Sequence, residues 1–324
     1  MKDLIDYIKP LKQIRENSPL VQCITNFVTV NDCANVILAA GGSPSMSQDI
    51  QEVEESVSSA DALVCNMGAI DRIDSMILAG KKANVLGKPV VLDPVAAGGT
   101  RLRREAARRL LEEVHFTAIR GNASEIRFLA SCGEIREGFG SGVDVSVKDA
   151  ITEKNLADSI EMAAALARRT KTVIAVSGVI DLISDGGRTV ILRNGCPMMA
   201  RITGSGCMLT ALMGAFCGAC REDYFHGAVC AMAVMGVAGE KAEERRYEEI
   251  APCAACGVGC VGEQTKRRPA SCVINPLAGR ELEFEEHPAK ETKQILIVGA
   301  GIAGLAAARI LAKRGHHVVV AEKE

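Results

Sequence analysis

The chain has 324 residues, with 38 Lys and Arg against 40 Asp and Glu and a formal net charge of −2. That length suits one large α/β domain or two smaller ones, and the near-neutral balance disfavours a surface built for nucleic-acid backbones. Apolar residues make up 48% and charged residues 24%, which excludes a disordered or fibrous chain. The opening MKDLIDYIKPLKQIREN is charged throughout and lacks the apolar stretch of a secretion signal. The apolar runs near 206–220 and 227–239 are parted by Arg221, Glu222 and Asp223, and each is shorter than the about 20 residues of a bilayer span. A soluble, cytoplasmic protein with no membrane or nucleic-acid partner is expected. Nine of the 13 cysteines lie within 1–230, mostly inside apolar runs, as reduced buried thiols do.

In chain order, residues 1–240 alternate two patterns. Short apolar runs at 21–25, 62–66, 89–93, 116–120, 172–177 and 189–193 predict buried parallel strands. Stretches such as 104–114 and 153–170 carry helical periodicity. Strand then helix, repeated, predicts a mostly parallel sheet with helices on both faces. Ligands of such sheets sit beyond the carboxyl ends of the strands. There the sequence places Thr25-Asn26, Asn66-Met67-Gly68, Asp93-Pro94, Arg120-Gly121-Asn122 and Ser177-Gly178.

Thr203-Gly204-Ser205-Gly206-Cys207-Met208 opens a long apolar helix over 207–220. Its glycines allow close backbone approach, and the helix N-terminus offers free N–H groups to an anion, although glycine pairs also simply make turns. Asn122 and Glu125, three apart at a helix start, share a face. Such a pair suits Mg²⁺ with its water shell. A metal, a cation, an anion hole and an aligned hydroxyl are the parts that phosphoryl transfer needs.

Six stretches, SPLVQCITNFVTVNDCANVILAAGGSPSM (18–46), ALVCNMGAI (62–70), VVLDPVAAGGT (90–100), AIRGNASEI (118–126), AVSGVIDLISDG (175–186) and RITGSGCMLTALMGAFC (201–217), resemble the hydroxyethylthiazole kinase family of thiamine biosynthesis. The resemblance covers about three-quarters of the chain, in the family's order. It implies a ribokinase-like fold and ATP- and Mg²⁺-dependent phosphorylation of 4-methyl-5-(2-hydroxyethyl)thiazole, in a homotrimer with pockets at subunit interfaces. By the same resemblance Met46, Gly204 and Asn26 contact the thiazole alcohol, and Arg120 and Ser177 contact ATP. Asp93, Asn122 and Glu125 serve the Mg²⁺–phosphate region. Cys207 stands where the wider superfamily has a catalytic Asp; a helix N-terminus lowers a thiol pKa, so Cys207 is expected to assist deprotonation of the hydroxyl. Met46 as core filler, Ser177 as a strand cap and Arg120 as a structural ion-pair partner are the plainer readings. Ala96 departs from the family, which usually has Gly there. An Ala/Gly-rich helix face over 228–239 has little to cover it within one domain, and the family's last helix is expected to be missing beyond Lys241.

Past a charged run at 241–252 the texture changes. Cys253, Cys256, Cys260 and Cys272 fall within twenty residues, a spacing that suits an iron–sulfur cluster better than a paired zinc knuckle. Residues 247–281 resemble the 4Fe–4S segment of the flavin-dependent enoate and dienoyl-CoA reductases related to old yellow enzyme. Gly299-x-Gly301-x-x-Gly304 then lies between a strand and a helix, with Glu322 at the end of the next strand, the pattern of an ADP-binding turn. Within that resemblance an FAD site is implied. The flavin barrel that precedes such a segment is replaced here by the kinase pattern, and the nucleotide unit stops after one βαβ. The expected organisation is a kinase domain over 1–245, a Cys-rich segment over 246–290 and an incomplete Rossmann-type βαβ unit over 291–324, joined at a seam near 242–248. Two alternatives stand beside the kinase: a fragment of an iron–sulfur flavin oxidoreductase, and a chimera with no activity.

Overall fold

The computed structural model describes residues 7–131, 150–243 and 287–322. Contacts divide the chain into two compact units, 1–275 and 276–324.

In the first unit eight strands form one sheet: β1 (Leu20–Ile24), β2 (Ser43–Ser45), β3 (Ala62–Asn66), β4 (Val90–Asp93), β5 (Ala118–Asn122), β6 (Val173–Ser177), β7 (Asp181–Ser184) and β8 (Thr189–Leu192). Their order is β2-β1-β3-β4-β5-β6-β7-β8. Pairings from β2 through β6 are parallel, and those of β6 with β7 and β7 with β8 are antiparallel. Alternation along each strand sends its side chains to two separate cores. Ile24, Leu63, Cys65, Leu92, Ile119 and Ile174 face one core, closed by α3 (Val53–Ser59), α4 (Ile73–Val85), α5 (Arg101–Glu113), α6 (Ala123–Ala130) and α7 (Leu156–Thr170). Val21, Cys23, Val64, Val91, Ala118 and Ala175 face the other, closed by α1 (Ile8–Asn17), α2 (Val30–Ala40), α8 (Ser205–Ala219) and α9 (Tyr224–Glu243). Every residue of α8 from Leu209 to Ala219 is buried, so its lack of a polar face follows from its central place.

Three expectations need correction. The run 189–193 is not a buried parallel strand: it forms β8, a partly exposed antiparallel edge. The turn before it decides this, because Asp185 Oδ1 accepts the N–H groups of Gly187 (3.0 Å) and Arg188 (2.6 Å). That hairpin is too short for a parallel crossover. The strands β2 and β7 are additional; β7 follows β6 through the three residues 178–180. Finally, the 228–239 helix is covered within the domain over its first half, since Ala228 to Met232 are all fully buried.

In the second unit β9 (Gln294–Val298) and β10 (His317–Ala321) pair in parallel, connected by α10 (Ile302–Lys313). This is the expected βαβ unit. No helix among the described residues is long and apolar enough to cross a membrane.

Candidate active site

From β1 the chain passes to β2 on one side, while β3 lies on the other side of β1. This parting of the connections falls at the carboxyl ends of β1 and β3, where open α/β sheets hold their ligands. Asn26 follows β1 and Asn66 ends β3. Their side chains meet, Asn26 Nδ2 donating to Asn66 Oδ1 at 3.3 Å. Asn66 Nδ2 donates in turn to Asp93 Oδ2 at the end of β4 (3.0 Å). Thr210 Oγ1, from α8, donates to the same oxygen at 2.8 Å. Arg120 Nη1, from β5, lies 3.9 Å from it, and Arg120 Nη2 donates to Ser177 Oγ at the end of β6. One polar chain thus crosses five strand ends and reaches the first turns of α8.

The helix start is shaped by two glycines. Gly204 is the N-cap residue, left-handed at φ +80°, and a Cβ there would lie 2.1 Å from Thr29 Cγ2. A Cβ on Gly206 would lie 2.5 Å from Arg120 Nη1, so only glycine lets the guanidinium rest against the helix N-terminus. Arg120 is buried, and its Nε has no hydrogen-bond partner. An orphaned buried cationic donor beside a helix N-terminus is suited to a phosphate oxygen.

Cys207 sits in the first turn of α8, where Asn26 Nδ2 donates to its Sγ at 3.5 Å. Burial, and then the charge of Asp93, push this thiol above its usual range, outweighing hydrogen bonds from Asn66, Thr29 and Asn26. The expectation of a lowered thiol is therefore corrected: desolvation and a neighbouring carboxylate overcome the helix N-terminus.

Asn122 and Glu125 form a capping box on α6, with Asn122 Oδ1 accepting the Glu125 N–H (2.9 Å) and Glu125 Oε2 accepting the Asn122 N–H (2.8 Å). Glu125 Oε1 accepts the N–H of Ala96 at 2.8 Å. Oε1 thus braces the loop after β4 while Oε2 closes the start of α6, and each keeps a second lone pair. Burial, followed by the charge of Asp93, pushes Glu125 up to about 7. Burial also raises Asp93, with Arg120 and Thr210 opposing. Among the described residues no cluster of three or more His, Cys, Asp or Glu is arranged to hold a metal. Two buried carboxylates, both raised by burial and one of them also by the other's charge, still fit Mg²⁺, which takes one or two carboxylates and completes its shell with water and phosphate.

Met46 follows β2 at the same sheet edge, partly buried against the α8-side core. Ala96 is left-handed at φ +54°, the conformation for which glycine is the natural occupant. In the second unit Gly301 is the N-cap of α10, Gly299 has φ +104°, Gly304 packs under the Gly299 carbonyl, and Glu322 accepts the N–H of Ala300. Cys253, Cys256, Cys260 and Cys272 lie outside the described residues.

Four residues of the site carry no motif that assigns them a role: Asn66, Thr29, Thr210 and Asp181. Thr29 N and Oγ1 both donate to Asn26 Oδ1 at 3.2 Å. Thr210 lies one turn beyond Cys207, a spacing that could have marked it. Asp181 opens β7, accepts the Gly178 N–H at 2.8 Å and is pushed up to about 6 by burial, with Arg120 opposing.

The profile of the "Hydroxyethylthiazole kinase family" matches residues 11–252. A profile for an "NAD(P)-binding Rossmann-like domain" matches 297–324. The hydroxyethylthiazole kinase of Clostridium beijerinckii is 48% identical over 237 residues, covering 72% of this chain and 83% of that protein. The corresponding protein of Desulfovibrio desulfuricans is 48% identical over 236 residues, covering 72% and 81%. The solved structure of hydroxyethylthiazole kinase from Pyrococcus horikoshii matches with a TM-score of 0.65 and 37% identity, over 74% of this chain and 87% of that one. The first unit therefore has the ribokinase-like α/β fold, and the chain belongs to the hydroxyethylthiazole kinase family.

Proposed function

We propose that this protein transfers the γ-phosphoryl group of ATP to the hydroxyl of 4-methyl-5-(2-hydroxyethyl)thiazole, a thiamine-salvage reaction. The observation that carries this reading is the polar chain from Asn26 through Asn66 and Asp93 to Arg120 and Ser177, meeting the N-terminus of α8. In this reading Met46, Asn26 and Gly204 hold the thiazole alcohol, while Arg120 and Ser177 hold ATP phosphates. Asp93 and Glu125 lie toward the Mg²⁺–phosphate region, with Asn122 holding Glu125 in place. Mg²⁺ supplies neutralisation of phosphate charge when bound.

The hydroxyl oxygen bonds to the γ-phosphorus as its bond to the β,γ-bridging oxygen breaks, and ADP leaves with that electron pair. In a loose transition state the hydroxyl proton departs late, onto an oxygen of the transferred phosphoryl group. Because Cys207 is held as a thiol, its part is to orient the hydroxyl, not to remove its proton. Arg120 and the N–H groups of α8 meet the charge that develops on the phosphoryl oxygens.

The domain division proposed is a kinase domain over 1–245, a Cys-rich segment over 246–290 and a βαβ unit over 291–324. The family match to 11–252 and the separate β9–α10–β10 unit support it. A homotrimer working in the cytoplasm, where ATP is drawn upon, completes the reading. The test is ATP-dependent formation of the thiazole phosphate by the purified full chain, followed by phosphorus NMR. Absence of product with Mg²⁺, ATP and the thiazole alcohol present refutes the proposal.

A further inference from the structure

Arg101, Arg103 and Arg104 occupy the first turn of α5, which holds no acidic residue. That is the end of a helix where cations are disfavoured, so their placement calls for a compensating contact. Arg103 has one. Its backbone N–H is capped by Thr100 Oγ1 at 3.2 Å, and its Nη1 donates to two main-chain carbonyls, Met67 O and Val95 O, each at 2.9 Å.

Those carbonyls belong to different loops. Met67 directly follows Asn66 at the end of β3, and Val95 stands two residues beyond Asp93 at the end of β4. The same loops are tied at the strand ends by Asn66 Nδ2 to Asp93 Oδ2 (3.0 Å) and by Met67 N to Asp93 O (2.9 Å). Arg103 therefore closes a ring that runs Asn66, Met67, Arg103, Val95, Asp93. It touches neither functional side chain. A guanidinium shared between two carbonyls sets the spacing of the loops from behind, and so the register in which the Asn66 amide meets the Asp93 carboxylate.

We propose that Arg103 is a positioning residue of the phosphoryl-transfer site, acting on Asn66 and Asp93 through the carbonyls of Met67 and Val95. The inference rests on the kinase reading above. Only one nitrogen carries both bonds, so a lysine ammonium, with three donors, can replace it. Misplacement of a catalytic group by about 1 Å costs on the order of 10²-fold in rate.

The experiment is a double-mutant cycle in the full chain, reading kcat and the KM for each substrate. Arg103→Met is expected to lower kcat by about 10- to 100-fold with both KM values within a few-fold of the parent. Arg103→Lys should recover most of that loss. Asn66→Ala should lower kcat, and Arg103→Met added to it should lower kcat little further, because both changes release the same contact. Multiplicative losses, or Arg103→Lys as impaired as Arg103→Met, overturn the inference. If Arg103→Met does not accumulate as folded protein, Arg103→Gln, with one amide donor group, takes its place under the same criteria. An inactive parent chain refutes the kinase reading; an active parent with multiplicative losses refutes only the role of Arg103.

Discussion

Replacing Gly204 with Ala tests the site at its most crowded point. The new Cβ would lie 2.1 Å from Thr29 Cγ2 and 3.0 Å from Thr29 Cβ, on a residue with φ +80°. The left-handed backbone costs about 1–2 kcal/mol for an L-residue. Overpacking adds about 1–3 kcal/mol, so the expected loss is about 2–5 kcal/mol. For a domain of this size each kcal/mol moves the Tm by about 2–4 °C, which places the fall at about 4–20 °C. Activity should fall beyond that, because Thr29 holds Asn26 Oδ1 through two hydrogen bonds and Asn26 reaches Cys207. Thermal unfolding by circular dichroism and steady-state phosphorylation of the thiazole alcohol read the two effects. Thr29→Ser in the Gly204→Ala background removes the clashing methyl and keeps the hydroxyl. It should return the steric share and leave the left-handed share. A Gly204→Ala protein that melts with the parent, or a double variant that recovers nothing, refutes this reasoning.

Glu125, raised to about 7, binds a proton more tightly folded than unfolded. Its contribution is therefore fully present below about 4.5, the ordinary carboxyl range, and is lost as pH rises toward 7. Glu125→Gln should flatten the fall in denaturation midpoint between those pH values, and an unchanged slope rules the assignment out. Cys207→Ala should lower kcat by about tenfold or less and Cys207→Ser should retain more, because loss of a general base costs on the order of 10²–10⁴; a loss in that larger range restores the thiol as base. Arg120→Ala should raise the KM for ATP more than that for the thiazole alcohol, since it removes both the orphaned donor and the tether to Ser177. Equal changes in the two KM values exclude the ATP assignment.

Much of the site is legible in the order of the residues. Polar residues closing successive apolar runs can only gather at one sheet edge when the strands are parallel, and Asn26, Asn66, Asp93, Arg120 and Ser177 do gather there. Ala96 stands out by its departure from a resembling family, and its positive φ gives the physical reason. The Asn122–Glu125 spacing suits a metal, yet N-x-x-E at a helix start is equally the pattern of a capping box, which is what the backbone makes of it.

Strand periodicity and strand ends are local properties, so the class of fold and the edge at which chemistry happens follow from the amino-acid order alone. The direction of β8 is not in the apolar run, which reads the same both ways, but in the short turn before it, where Asp185 binds the N–H groups of Gly187 and Arg188. The state of Cys207 is not local: its proton affinity depends on the burial around it and on Asp93, 114 positions earlier in the chain. Thr210 on Asp93 and Arg103 on two loops likewise join residues that no spacing rule relates. Partnerships of this kind exist only once the sheet has brought distant strand ends together, and desolvation acts only on a group already enclosed.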